Sequence, residues 1–408
     1  MKYKSLAVLL LSASTSLICL GQTNQTPVVE DFKTTPTTQQ EKKFPQVNSE
    51  GRVRASISAP QALKVQLDIG GVKYDMVKDD KGVWTGESAP QDEGFHYYQL
   101  TVDGASVPDP GSLYYYGASR WGSGIEIPAK DQDFYALKNV PHGQLRETQY
   151  FSKTSNSTRR VYIYTPPGYD KDGKKYPVLY LQHGMGENET GWGNQGRTAV
   201  IMDNLIAEGK SLPFIIVMEN SSNQGAPRAA RPAGAPALGA PTGAPAPDVQ
   251  RTGAPMGAPT AAPPAGMRSM GAGQFERVLI DDLIPFVESN FRVIPDQAHR
   301  AMAGLSMGGM QTHSIVVANP TLFSHVGMFS SGTFKPSEIQ DINTFKKNVK
   351  VVFMSFGGKE RGSVDIGPAA EEWNKAGIKG VSYISPETAH EWQSWRRSLH
   401  EFAPLLFK

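Results

Sequence analysis

The sequence predicts an α/β fold, a mostly parallel sheet with helices on both faces, preceded by a small β-sandwich. Three observations predict it. From about residue 129 onward, strand-like apolar runs alternate with segments whose apolar residues recur at helical spacing, as in parallel strands joined by crossover helices. Before that, short stretches of partial apolar and polar alternation are separated by Gly, Pro and Asp turn signals, as in an antiparallel sandwich. Between one strand-like run and one helical run stands "AGLSMGGMQT", where a lone serine, Ser306, lies between Gly304 and Gly308.

Residues 1–21 read as a secretory signal peptide. Lys2 and Lys4 precede an apolar run from Leu6 to Leu11, and small residues lead to a cleavage site after Gly21. Ser12 to Ser16 interrupt the apolar run before it is long enough to span a bilayer, so export to the periplasm or the extracellular space is expected, without a stable membrane anchor. Cys19 is the only cysteine and follows the bulky Ile18, where a lipoprotein signal wants a small residue. Cleavage after Gly21 leaves no cysteine, so the fold is not expected to depend on disulfides.

Residues 22–46, rich in Thr, Gln, Pro and Lys without apolar periodicity, are expected to form a flexible leader with no packed structure. Residues 47–128 supply the sandwich through "RVRASISAP", "ALKVQLDIG", "GVWTGESAP" and "FHYYQLTVDG". In residues 129–408, "RRVYIYTPPGYD", "YPVLYLQHG", "LPFIIVMEN", "HRAMAG", "VKVVFMSFG" and "VSYIS" read as strands. Helical spacing marks "TAVIMDNLIAEG", "FERVLIDDLIPFVESNF", the run from about Gly308, "AAEEWNKAG" and a C-terminal helix through "WRRSLHEFAPLLF". Residues 221–273 break the pattern: Gly-Ala-Pro recurs six times with almost nothing large to bury, so a disordered or extended insertion is expected, acting as a passive solvated loop. Glycine does not return at every third residue there, which excludes collagen.

A net charge of +2 with 20% charged residues points to neither nucleic acid nor acidic membranes. The chemistry centres on Ser306. Gly-x-Ser-x-Gly between a strand and a helix describes a sharp turn that exposes a hydroxyl beside a helix N-terminus, with glycines where side chains would collide with backbone. A serine hydroxyl needs a base to take its proton and a carboxylate to orient that base, in the α/β-hydrolase chain order Ser, acid, His. His390 follows the last strand and precedes the last helix, where the base belongs; His400 lies within that helix, His313 is too close to Ser306 along the chain, and His325 precedes the acid. The loop "GGKERGSVD" offers Glu360, near its strand, as the preferred acid, with Asp365 as the alternative and as an expected helix cap. The backbone N–H of Met307 and, in "HGMG", that of Met185 are the expected oxyanion donors.

With these residues in place, the chain resembles the feruloyl and acetylxylan esterases of carbohydrate esterase family one, close to the esterase D group. The resemblance runs through "RRVYIYTPPGYD", "YPVLYLQHGMGENETGW", "LIDDLIPFVESNFRV", "RAMAGLSMGGMQT" and "HEWQSWRRSLHEFAPLLF". It implies Ser306 as nucleophile, His390 as base and Met307 and Met185 as oxyanion donors. Many such enzymes have aspartate where Glu360 falls. Residues 47–128 resemble the early-set immunoglobulin-like module that precedes such esterases. Its aromatic residues Trp84, Tyr97, Tyr98, Tyr114, Tyr115 and Tyr116 are able to stack on sugar rings, but a sandwich core or an interdomain contact is their expected place.

The resemblance implies a serine esterase acting on feruloyl or acetyl esters of plant cell-wall xylan, with a feruloylated or acetylated xylan oligosaccharide as partner. No metal or organic cofactor is expected, since the sequence has no clustered ligand set and no phosphate-binding glycine loop. The alternatives are an enterochelin-type siderophore esterase, which joins the same two parts, and a carbohydrate-binding protein with a silent hydrolase domain. The complete set Ser306, Glu360 and His390 argues against the last.

Overall fold

The structure is a computed structural model that describes residues 28–222 and 273–408. The expected signal peptide, with Cys19, and nearly all of the Gly-Ala-Pro insertion lie outside the described residues. Among the described residues no helix is long and apolar enough to cross a membrane.

An eight-stranded sheet forms the C-terminal part. Its strands are β1 (Gln144–Ser152), β2 (Ser157–Thr165), β3 (Val178–Gln182), β4 (Ile215–Glu219), β5 (Arg300–Leu305), β6 (His325–Phe329), β7 (Val351–Gly357) and β8 (Lys379–Ser385). They are arranged β1-β2-β4-β3-β5-β6-β7-β8. The first two run antiparallel to their neighbours and the other six are parallel, so the expected mostly parallel sheet is present. The central strands are buried end to end, which is why their sequences are nearly unbroken apolar runs rather than alternating ones.

Alternate residues of these strands enter separate apolar layers. Val178, Tyr180, Met302, Val326 and Met328 pack with the helices α3 (Met307–Ala318) and α4 (Ile366–Lys375). Leu179, Leu181, Ala301, Ala303 and Phe329 pack on the other side with α1 (Thr198–Ala207) and α5 (Trp392–Phe402). Between α1 and α3 in sequence, Val278–Leu283 and Ile284–Asn290 form α2, on the α3 side. The two-residue period of a strand places its side chains on both faces, and both faces are covered.

Two antiparallel sheets precede this core. One runs Lys33–Thr34, Gln46–Val47, Val53–Ser58, Val83–Glu87, Val77–Lys78; the other runs Tyr114–Gly117, Arg120–Ile127, Gly94–Val102, Val65–Ile69, Val72–Asp75, with Ala105–Val107 beside Gly94–Val102. Val53, Val65, Leu67, Leu100 and Ile125 are fully buried in the core that the two sheets share.

The expectation of a flexible leader over residues 22–46 is corrected for residues 28–46, which are packed. Lys33–Thr34 pairs with Gln46–Val47, Thr37 is buried, the Leu113 N–H donates to the Thr37 carbonyl at 2.8 Å and the Gln39 side chain donates to the Ser112 carbonyl at 2.8 Å. Polar hydrogen bonds to distant residues hold this segment, so no hydrophobic period betrays it.

The sandwich and the large sheet are welded together. Phe95, Tyr115 and Tyr135 belong to the same apolar cluster as α1 and α5. Glu126 receives both terminal nitrogens of Arg396 at 2.6 and 3.0 Å, with both side chains almost wholly buried. Such a pair adds little net stability, because both charges must be desolvated, but it strongly disfavours any docking that leaves one of them unpaired.

Candidate active site

Parallel register brings the ends of three strands together. Gln182, the last residue of β3, lies opposite Gly304 of β5, and Leu305 lies opposite Phe329, the last residue of β6. Ser306 follows at the point where β5 turns into α3, with φ 51° and ψ −116°. This positive-φ conformation is costly for a residue with a side chain and persists only where its surroundings enforce it.

Here the enforcement is visible. The Ser306 N–H donates to the Phe329 carbonyl at 2.8 Å, and the Ser306 carbonyl accepts from Met310 N–H at 3.1 Å in the first turn of α3. A Cβ on Gly304 would lie 2.4 Å from the Gly308 carbonyl carbon, and one on Gly308 would lie 2.5 Å from the His183 carbonyl oxygen. The two glycines therefore let the strand, the helix and the end of β3 meet. Met307 is the first residue of α3, where backbone N–H groups have no partner within the helix.

The second loop is built just as tightly. Gly184 is close enough to Ser306 that a Cβ on it would stand 3.4 Å from the serine Cβ. Glu187 N–H donates to Gly184 O at 3.2 Å, closing a turn with Met185 and Gly186 at its centre, and Gly186 has φ 79°. His183 is fully buried. Its Nε2 accepts from Ser221 N–H at 3.0 Å, so Nδ1 carries the hydrogen and donates to Gly184 O at 2.8 Å. Burial holds this imidazole below its ordinary range, which keeps it neutral in that role.

His390 and Glu360 meet directly, with Nδ1 2.8 Å from Oε2. The protonation pattern follows from the neighbours. The Trp395 indole can only donate, and it donates to Ser330 Oγ at 3.0 Å; the Ser330 hydrogen therefore goes to Glu360 Oε1 at 2.7 Å, where the Gly357 N–H also donates at 2.8 Å. With Oε1 taken by these two donors, Oε2 is left to accept from His390, which places the ring hydrogen on Nδ1 and leaves Nε2 as the unprotonated nitrogen. The ring of His390 is further fixed edge-to-face against Trp395, with centroids 5.1 Å apart.

Glu360 is buried, whereas Asp365 is exposed at the start of α4 and makes no capping hydrogen bond with its side chain, contrary to the expected capping role. Among the described residues Ser306 and His390 share no hydrogen bond; what links them is the sheet edge, where Phe329 holds Ser306 and the next residue, Ser330, holds Glu360. The other histidines are engaged elsewhere: His400 with Glu401, His313 with Glu338, and His325 inside β6.

Sequence reading passed over Ser330, Trp395 and Glu187, and took Tyr97 only as one of the sandwich aromatics. The only local trace of the first two is the strand-end "FSSG" and the three-residue spacing of Trp392 and Trp395. Of the sandwich aromatics, Trp84 and Tyr98 lie in the sandwich core, Tyr115 packs in the cluster shared with α1 and α5, Tyr97 reaches across to the large sheet, and Tyr114 is half-exposed. Tyr116 stacks edge-to-face on Trp121, which the sequence reading did not single out. Among the described residues no group of three or more His, Cys, Asp and Glu side chains is placed to hold a metal ion.

The model of the Esterase family matches residues 152–245 and 239–404. An endo-1,4-β-xylanase/feruloyl esterase of Xylanibacter ruminicola is 42% identical over 388 residues, 93% of this chain but 48% of that protein, so the chain spans about half the relative's length. Among solved structures, a CE1 ferulic acid esterase from Anaeromyces mucronatus is similar over 68% of this chain and 96% of its own, at 20% identity and a TM-score of 0.50. An enterochelin esterase from Shigella flexneri is similar over 90% and 95%, at 14% identity and a TM-score of 0.56. These likenesses show the α/β-hydrolase esterase fold.

Proposed function

The chain belongs to the Esterase family, and on that premise we propose that it is an exported serine esterase of the carbohydrate esterase family one type, hydrolysing feruloyl or acetyl esters on xylan. The observation that carries the site assignment is the Glu360–His390 pair, anchored through Ser330 at the end of β6, the strand next to the one that ends in the strained Ser306. The 42% identical relative named as a xylanase/feruloyl esterase supports the substrate class.

In this reading His390 Nε2 takes the Ser306 proton as Oγ bonds to the ester carbonyl carbon. The N–H groups of Met307 and Met185 hold the resulting oxyanion, each contributing about 10²–10³ in rate. Collapse breaks the bond to the sugar oxygen, which leaves with the proton from His390. Water then gives a proton to His390 and adds to the acyl carbon. Ser306 departs with that proton, and the carboxylic acid is released. Glu360 accepts the Nδ1 hydrogen of His390 throughout and stabilises the imidazolium. The N-terminal sandwich is assigned to the early-set class and residues 1–21 to a signal peptide that delivers the protein to the periplasm or beyond.

Hydrolysis of methyl ferulate and 4-nitrophenyl acetate by the full chain and by Ser306→Ala tests this. Ferulate release that disappears in the variant is the expected result; acetate release alone shifts the substrate to acetylated xylan. A second reading, a siderophore esterase, draws on the enterochelin esterase likeness over 90% of the chain, which takes in the sandwich as well. Turnover of a catecholate trilactone, with neither simple ester cleaved, would select it.

A further inference from the structure

The turn that presents the Met185 N–H is clamped at three points. From within the large sheet, His183 Nδ1–H holds Gly184 O at 2.8 Å. The other two clamps come from the sandwich. The Ser119 N–H, at the tip of the hairpin between Tyr114–Gly117 and Arg120–Ile127, donates to Gly186 O at 2.8 Å. The Tyr97 hydroxyl lies 2.8 and 3.0 Å from the two carboxyl oxygens of Glu187.

The same hydroxyl accepts from Gln195 Nε2 at 2.6 Å and from the Trp392 indole at 3.1 Å. Two donors occupy its lone pairs, so its own hydrogen is committed to Glu187. Trp392 lies two residues after His390 and packs edge-to-face on Trp395 at 5.2 Å, and Trp395 in turn carries the His390 ring and Ser330. One buried hydroxyl therefore touches both loops of the site, from a separate β-layer.

We infer that Tyr97 is a positioning residue of the esterase centre, holding the Met185 turn through Glu187 and the His390 loop through Trp392. The inference rests on the catalytic reading of Ser306, His390 and Met185. The sandwich is then a structural part of the active centre rather than an appended binding module, and its contribution is exerted on the transition state rather than on ground-state substrate binding.

The test is steady-state kinetics of the full chain on 4-nitrophenyl acetate, with Ser306→Ala, Tyr97→Phe, Glu187→Ala, the double variant Tyr97→Phe/Glu187→Ala, and Asp131→Asn. The last breaks a different contact onto α5, from Asp131 just past the sandwich to Arg397 and Gln393, and leaves Tyr97 and Glu187 untouched. Expected are a kcat lowered tenfold or more in Tyr97→Phe with KM within twofold, a similar loss in Glu187→Ala, no further loss in the double variant, and kcat within twofold of the parent in Asp131→Asn. A Tyr97→Phe protein that melts earlier but keeps kcat overturns the inference. So does an equal loss in Asp131→Asn, or losses that multiply in the double variant. Activity persisting in Ser306→Ala would instead overturn the site assignment itself.

Discussion

Glu360 divides its carboxylate between two tasks: Oε1 receives Ser330 and the Gly357 N–H at 2.7 and 2.8 Å, and Oε2 holds His390 Nδ1 at 2.8 Å. The first pair of bonds fixes the carboxylate at the end of its own strand, and the second sets the imidazole's tautomer. Glu360→Gln is expected to lower kcat about 10⁴-fold, because an amide can present a donor to Nδ1 and reverse that tautomer. Asp365→Asn is expected to leave kcat unchanged. Kinetics on 4-nitrophenyl acetate, with circular dichroism as the folding control, checks both.

Gly304→Ala tests the elbow. The added Cβ would stand 2.4 Å from the Gly308 carbonyl carbon, which is backbone and cannot swing aside. A loss of about 1–3 kcal/mol is expected from the overpacking, read as a lower urea midpoint at unchanged slope. Activity should fall further than stability, since the strand and helix can separate only by moving Ser306.

Glu187 predicts a pH dependence of stability. Burial pushes its carboxyl from an ordinary value near 4.5 up to about 8, against the smaller opposing effects of Tyr97 and Trp392. Facing it are the Tyr97 hydroxyl, the Gln195 amide and the Trp392 indole; Tyr97 is itself pushed well above its ordinary range, so it stays protonated. Between pH 4.5 and 8 the folded chain keeps a proton that the unfolded chain releases, so this group's contribution to stability falls as pH rises through that window. Urea melts across the range should show Glu187→Gln losing less stability than the parent as pH increases. A parallel pair of curves would refute the protonated carboxyl.

The buried ion pair between the two parts predicts asymmetric mutational costs. Glu126→Ala strands Arg396, almost wholly buried, and is expected to cost about 3–5 kcal/mol. Glu126→Leu combined with Arg396→Met replaces both charges by apolar volume and should recover most of that loss. Thermal melts of the three proteins decide it.

Much of the architecture was legible because it depends on short-range physics. The nearly unbroken apolar runs of β3, β4, β5 and β7 report strands buried on both faces, and the change from a two-residue to a helical period marks the longer crossover helices, though not the short one at Ile342–Asn348. The elbow was legible for a similar reason, since a turn that sharp needs glycine on both sides of Ser306. Residues 28–46 were misread because their order comes from polar bonds to Ser112 and Leu113, more than seventy positions away for Gln39, and composition carries no trace of such bonds.

By itself the sequence determined the order of strand, elbow and helix, the position of Ser306, and the place of a histidine after the last strand, since steric exclusion and apolar periodicity act over a few residues. Only the tertiary structure decided which carboxylate faces His390 and that Tyr97 joins both loops of the site. The first pairing spans 30 positions and the contact of Tyr97 with Trp392 spans 295. Contacts at such separations depend on where whole layers come to rest, and no local pattern encodes that.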